Sequence, residues 1–546
     1  MKDKNFDPVQ FKKQFPLFDH KENQALVYLD NAATTQKPQC VINAISGFYS
    51  HINANANRSS HRLGRAATIV IQEARKKAAQ FINATSAEEI VFTSGATEGL
   101  NIIANGLAKK LKVGDEVMLS IAEHHANIVP WQEAVKISNA NLHFIRADFS
   151  DLNVSISDKT KVISITAASN TLGSVTDLSY IRAIKKEYPN LTVVVDASQL
   201  AAHRIIDVKG IECDFLVFSA HKIYGPSGVG VLYGKKEALD DLSPLLFGGE
   251  MIVRVDKQDS TYAQGPERFE AGTSPLSAIA GLSACFDFWS VQNRPAMKSY
   301  EEQVTEYLYK QLEKLCAHHP RLKLIGEAKN NIGIAIIASD EYSVTDIAFW
   351  LDEKDFAVRV GDHCAQPLWQ SMGLNKVLRL SLAAYNTFGD IDKLIDALNS
   401  FIATFSGDKN SQCCKIQKDS VDIQQLISLR TWQKKYKQIM KWGKGYQPKY
   451  DIRKSENLIA GCETDLWLFS IKENNRWVFL IDSDSSIVRG LALLVVVKAD
   501  NKSDEEIKSI NFYEYLTLLG LDKYLSSSRV SGLFGLIEKI RKITNS

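Results

Sequence analysis

Lys222 follows the apolar run Phe215-Leu216-Val217-Phe218 and precedes Ile223-Tyr224-Gly225-Pro226. Such a run, closed by a turn, reads as a buried strand. The lysine then stands just past a strand end, where an α/β sheet would hold an aldehyde as a Schiff base. A second run, Val193-Val194-Val195, delivers Asp196 in the same way. A lysine for an imine and an aspartate for a pyridinium nitrogen are the groups pyridoxal phosphate (PLP) demands. Alone, the lysine reads as a solvated charge and the aspartate as a helix cap. Together, at successive strand ends, they point to the cofactor.

The same logic places the other donors. A phosphate needs backbone N–H groups and hydroxyls at a helix N-terminus. Ser94-Gly95-Ala96-Thr97 fits, with Ser219 and His221 as further donors. His124 follows another strand end and is placed to stack on the pyridine ring or to shuttle protons. For His125 beside it, a packing or surface role is equally compatible with the sequence. Gln199 is placed to donate to the ring's phenolate oxygen. Arg379, in Leu378-Arg379-Leu380-Ser381-Leu382, is one charge in an apolar strand. A buried arginine needs an anion, and an amino-acid carboxylate would serve.

Two cysteines stand out among eight. Cys364 lies in Arg359-Val360-Gly361-Asp362-His363-Cys364-Ala365-Gln366-Pro367, a charged, Gly- and Pro-flanked loop. Arg359 and His363 are expected to favour its thiolate. Cys462, after Gly461 and ahead of Thr464-Asp465-Leu466-Trp467, is expected on a loop tip. Cys413 and Cys414 read as incidental thiols that could also relay sulfur. Cys40, Cys213, Cys285 and Cys316 read as packing. No CxxC pair suggests a zinc site or a disulfide framework, so no metal is expected.

These residues need a sheet to position them. Strand-like and helix-like segments alternate through residues 1–406, which argues for a mostly parallel sheet covered by helices. The strands are expected at 89–93, 116–120, 161–165, 193–196 and 215–218. A large lobe is expected over about 26–295. A smaller one, beginning with a long amphipathic helix, is expected over about 296–406 together with the N-terminal segment. Residues 407–418 read as a polar linker. Residues 419–546 read as a separate α+β module, with a helix over 421–442, a loop to Cys462, strands near 466–471 and 476–481, and helices to the end.

Net charge of +2 gives no reason to expect nucleic acid, and 45% hydrophobic with 23% charged residues is ordinary for a globular protein. The N-terminus lacks an apolar stretch, and no run is long enough to span a bilayer, so a reducing cytoplasm is expected, without membrane contact.

Residues 1–406 resemble the SufS-type (group II) cysteine desulfurases of the fold-type I, class V aminotransferase superfamily. The resemblance is carried by Tyr28 to Ala33, Thr93 to Asn101, Glu123 to Trp131, Asp196 to Gln199, Ser219 to Pro226, Phe269 to Thr273 and Arg359 to Cys364. Residues from about 419 resemble the sulfur acceptor SufE, through Gly461-Cys462, Trp467 and Ser528 to Leu533. The resemblance implies a natural fusion of the two. It implies PLP on Lys222, with Asp196, Gln199 and His124 around the ring. Ala96, Thr97, Ser219 and His221 would bind phosphate, with Thr273 reaching across a homodimer. Asn170, Arg379 and Arg359 would orient substrate.

In the same terms, L-cysteine would yield L-alanine and a persulfide on Cys364. The sulfur would pass to Cys462 and then to a SUF-type scaffold for iron–sulfur assembly. Selenocysteine, another sulfur pathway of the CsdA–CsdE kind, or a non-catalytic C-terminal module stay open as alternatives. Asp362 stands where the family usually has His, Asn57-Arg58-Ser59 replaces a usual His-Arg-Gly, and Thr464 stands where Ser is common. A linker of ~12 residues reaches roughly 40 Å at ~3.3–3.6 Å per residue. Cutting it is expected to lower sulfur transfer in dilute enzyme.

Overall fold

The structure is a computed structural model that describes residues 6–57, 60–405, 417–429, 432–459, 465–521 and 527–545. The apolar runs form a seven-stranded sheet: β1 (Ile90–Thr93), β2 (Glu116–Ser120), β3 (Asn141–Ile145), β4 (Thr160–Thr166), β5 (Thr192–Asp196), β6 (Phe215–Ser219) and β7 (Gly230–Gly234). Their spatial order is β1-β7-β6-β5-β4-β2-β3. Neighbours from β6 to β3 pair in parallel, whereas β7 is antiparallel to both β6 and β1.

Strands β5 and β6 are buried along their whole lengths apart from Thr192, as their near-continuous apolar sequences require when both faces are covered. One face is covered by the helix Ala96–Ala108 (α1), where a Cβ on Gly99 would come 2.9 Å from Val217 Cγ1. A Cβ on Gly230 would come 2.6 Å from Gly95 Cα, so two glycines let β7 pass the turn into α1. On the other side, the helix Leu276–Ser290 packs against Gln39–His51 and Arg62–Phe81. The parallel strands point their C-terminal ends to one edge, which gathers the residues after Thr93, Ser120, Thr166, Asp196 and Ser219.

A second sheet has the order Leu322–Ile325, Ile334–Ser339, Val377–Ser381, Arg359–Gly361. The N-terminal segment joins this region. Val27 and Tyr28 pair in parallel with Phe356 and Ala357, and Asp30 bridges to Ser381. The helix Arg294–His318 is the long amphipathic helix expected from the sequence.

By compactness the chain divides into two units, residues 1–338 with 351–397, and residues 339–350 with 398–546. In the second unit, the hairpin Leu466–Glu473 and Arg476–Ser483 turns at Asn474-Asn475, both with positive φ. Asparagine tolerates that conformation in a two-residue turn. The helices Trp432–Gly445 and Ser486–Ala499 (α2) pack together, and a Cβ at Gly443 or Gly490 would run into the facing backbone. The helix expected over 421–442 is instead two, Ile423–Ser428 and Trp432–Gly445, because Leu429 is extended (φ −74°, ψ 117°). Residues 339–350 contribute Asp346, a buried carboxylate. It accepts from Ser485 Oγ at 2.7 Å, Ser486 N at 3.1 Å and Ile487 N at 3.3 Å, capping the start of α2. Among the described residues no helix is long and apolar enough to cross a membrane.

Candidate active site

At the C-terminal edge of the large sheet lies a cavity of about 260 Å³. Ala96, Thr97, His124, Asn170, Asp196, Gln199, Ser219, His221, Lys222, Arg359, Cys364 and Arg379 all line it. Thr273 does not; it is exposed. Glu270, three residues earlier, forms a buried bidentate pair with Arg75 at 2.7 and 2.8 Å and accepts from Phe92 N, which fixes that segment to β1. Cys462, Cys413 and Cys414 lie outside the described residues, as do Arg58, Ser59 and Thr464.

Asp196 ends β5 and accepts from Ser198 N at 2.9 Å. Burial lowers the pKa of Lys222, and the Arg379 charge adds to this against the pull of Asp196. Burial, with the Lys222 charge, holds His124 down to about 4 and His221 down to about 4. His124 accepts from Ala126 N through Nδ1, so its proton sits on Nε2. Ser219 Oγ accepts from Ala96 N at 2.9 Å, joining β6 to the first turn of α1 and leaving its hydroxyl proton to donate. Gln199 donates its amide to the Ala32 carbonyl at 2.9 Å.

The two arginines share one internal carboxylate, which leaves a net positive charge for a further anion. Asp30 takes Arg359 through Nε at 3.0 Å and Nη2 at 2.8 Å, and Arg379 through Nη2 at 3.2 Å. Arg379 also donates to the Asn170 carbonyl at 2.9 Å, while its buried Nε has no partner among the described residues. Asn170 donates to the His363 carbonyl at 2.7 Å.

Cys364 is exposed on a tight turn at the cavity rim. His363 and Cys364 have φ of 51° and 56°, two successive non-glycine residues in the left-handed region. Burial and the Arg379 charge push His363 down to about 3, so it is neutral at pH 7 and lends no charge to the thiolate. This corrects the part of the expectation that rested on His363; Arg359, beside Cys364 in the cavity wall, pairs with Asp30, a carboxylate it shares with Arg379. Cys213 and Cys285 are buried as expected, whereas Cys40 is exposed rather than packed.

Several residues here escaped the sequence reading. Asp30 was visible only as part of a matching stretch. The His221 carbonyl accepts from Thr34 Oγ1, Thr35 Oγ1, Thr35 N and Lys37 Nζ at 3.2, 3.1, 3.1 and 2.9 Å, a clamp on the peptide bond before Lys222. Glu123 is fully buried and accepts from Ser120 Oγ, Asn127 Nδ2 and Thr166 N at 2.6, 2.7 and 3.0 Å. Burial pushes its carboxyl up to about 7. A carboxylate at a strand end beside two histidines was the available signal.

The residues fit PLP. Lys222 and Asp196 face one cavity, and the start of α1 with Ser219 and His221 offers donors for a phosphate. The buried Ser198 Oγ and Arg379 Nε lack partners among the described residues.

The class-V aminotransferase family model matches residues 27–394. The chain belongs to that family of PLP-dependent enzymes. A second model, SufE, described as an Fe-S metabolism associated domain, matches residues 422–544. A probable cysteine desulfurase of Streptomyces coelicolor is 39% identical over 408 residues, 72% of this chain and 96% of its own. A cysteine desulfurase of Synechococcus elongatus is 38% identical over 401 residues, 72% of this chain and 63% of its own. The cysteine desulfurase CsdA of Escherichia coli, solved with an S-sulfonic acid, superposes with a TM-score of 0.66 at 34% identity, covering 73% of this chain and 99% of its own. An apo cysteine desulfurase of Thermococcus onnurineus gives 0.68 at 32% identity, covering 72% and 98%. The chain is a PLP-dependent cysteine desulfurase with a SufE domain joined to it, and its place is in iron–sulfur metabolism.

Proposed function

We propose that the enzyme takes the sulfur of L-cysteine onto Cys364, releases L-alanine, and passes the sulfur to Cys462 of its own SufE domain. The catalytic body is 1–406, the linker 407–418 and the acceptor module 419–546. PLP, when bound, supplies an aldehyde for Lys222 and an electron sink at its ring nitrogen. Asp196 would keep that nitrogen protonated, His124 would lie against the ring, and Gln199 would serve the ring oxygen. The first turn of α1 (Ala96, Thr97), Ser219 and His221 would hold the phosphate, and Thr273 would serve the partner subunit's site in a homodimer. Exposed apolar residues on and beside the Ile252–Val255 hairpin, among them Val253 at 69% and Phe247 at 59% exposure, favour such a partner.

Arg379, through its unpaired Nε, and Asn170 orient the substrate carboxylate, with Arg359 at the mouth. Lys222, its amine made less basic by burial, moves the substrate's α-proton. The Cys364 thiolate attacks the substrate sulfur. An S–S bond forms as the C–S bond breaks, and its electron pair returns to carbon, where a proton completes alanine. The Cys462 thiolate then attacks the outer sulfur of the persulfide, and Cys364 leaves as thiolate. A SUF-type scaffold receives the sulfur in the reducing cytoplasm.

One observation carries the reading: an exposed thiol on a strained turn shares a cavity with a buried lysine and a half-paired arginine. Single-turnover and steady-state alanine formation test it. Cys364→Ala is expected to abolish both. Cys462→Ser is expected to spare the first turnover and slow the second. Alanine formation surviving in Cys364→Ala would overturn the assignment of the nucleophile.

A further inference from the structure

The turn that carries Cys364 is held from outside by a residue with no part in the steps above. His125 donates its backbone N–H to the Cys364 carbonyl at 2.8 Å. Its ring Nε2 accepts from the backbone N–H of Gln366 at 3.2 Å. Gln366 opens the short helix Gln366–Ser371, whose N-cap, Ala365, has no side chain to accept an orphan N–H. The imidazole takes that place. One residue therefore grips the chain at two points directly after the thiol.

The turn needs a grip. Two successive left-handed non-glycine residues persist only where their surroundings over-determine them. Asp362 Oδ1 accepts from Cys364 N at 3.0 Å, Trp369 Nε1 donates to the Asp362 carbonyl at 2.9 Å, and Asn170 holds the His363 carbonyl. Of these restraints, only Asn170 and His125 come from the large sheet's edge. His125 is also the neighbour of His124, which lines the cavity.

We propose that His125 is a positioning residue for Cys364, tying the nucleophile's turn to the segment that forms the cofactor's wall. The proposal rests on Cys364 being the sulfur-accepting thiol. It separates the two histidines by role, one for the ring and one for the thiol.

Two variants test it in the holoenzyme. His125→Phe keeps a ring but offers no acceptor, and His125→Gln keeps an acceptor. Three quantities are read: cofactor absorption, the rate at which iodoacetamide alkylates Cys364 without substrate, and kcat with KM for alanine formation. His125→Phe is expected to keep the absorption, to raise Cys364 alkylation severalfold, and to lower kcat by about tenfold or more with KM little changed, since small misplacements of a reacting group have effects of that size. His125→Gln is expected to recover much of kcat and to restore slow alkylation. Wild-type kcat and alkylation in His125→Phe would overturn the proposal. So would loss of cofactor absorption, or a Gln variant as impaired as the Phe variant. Failure of the underlying reading is distinct: it appears as alanine formation in Cys364→Ala, whatever happens at position 125.

Discussion

Asp30 carries two arginines, one exposed at the cavity mouth and one buried in its wall. The fork fixes both guanidinium planes before substrate arrives and leaves one buried N–H of Arg379 to spend. Arg379→Lys removes the fork's geometry while keeping the charge. It is expected to raise KM for cysteine by about tenfold or more with cofactor absorption intact, an effect the size of one lost charge-assisted hydrogen bond. Unchanged KM would mean that the carboxylate binds elsewhere. Lys222 and Asp196 were legible in the sequence because each sits at the end of its own apolar run. Asp30 was not, because its partners lie 329 and 349 residues along the chain. Glu123 gives a pH test. Its carboxyl is raised from 4.5 to about 7 by burial, so between those values the folded chain holds a proton the unfolded chain has lost. Stability therefore falls as pH rises through that window. Relative to Glu123→Gln, the wild type is expected to lose up to about 3 kcal/mol from the lower pH to the upper. A pH-independent difference in thermal unfolding would contradict this.

Elements set where those residues stand. The strand ends that form the cavity were readable because both-face burial gives continuous apolar runs, and β2 spans the residues expected of it. What no periodicity announces is how a loop before the sheet clasps one after it. Four donors from residues 34–37 converge on the carbonyl of His221, and burial holds Lys37, one of the four, down to about 8. The clamp fixes the peptide from which Lys222 projects. Lys37→Met is expected to weaken cofactor retention severalfold, measured by dialysis and absorption, with the fold preserved because three donors remain. Retention equal to wild type would make the fourth donor incidental. The break at Leu429 escaped the sequence for a similar reason. The apolar pattern runs on through it, and only the backbone reveals that the chain is extended there.

At the scale of the whole molecule, a segment from the middle of the chain belongs with the C-terminal residues. Residues 339–350 fall in one compact unit with 398–546, and Asp346 caps α2 within it. Loss of a cap of this kind costs about 1–2 kcal/mol. Asp346→Ala is expected to speed amide exchange at Ser486 and Ile487 and to lower the unit's unfolding temperature, whereas unchanged exchange would make the cap decorative. Cutting between 407 and 418 is expected to slow sulfur transfer at dilution less in the wild type than in Asp346→Ala, where the Asp346 cap is lost as well. The cap was not legible in the sequence, because an aspartate within Val344–Asp352 gives no sign of which helix it will meet. The claim beneath all of this is that two thiols receive the sulfur in turn. Mass spectrometry of the holoenzyme after a brief exposure to cysteine tests it most directly. One added sulfur atom is expected on Cys364 first and on Cys462 afterwards, and only on Cys364 in Cys462→Ser. A cysteine-treated enzyme that releases alanine with no sulfur on Cys364 at any time would contradict the account.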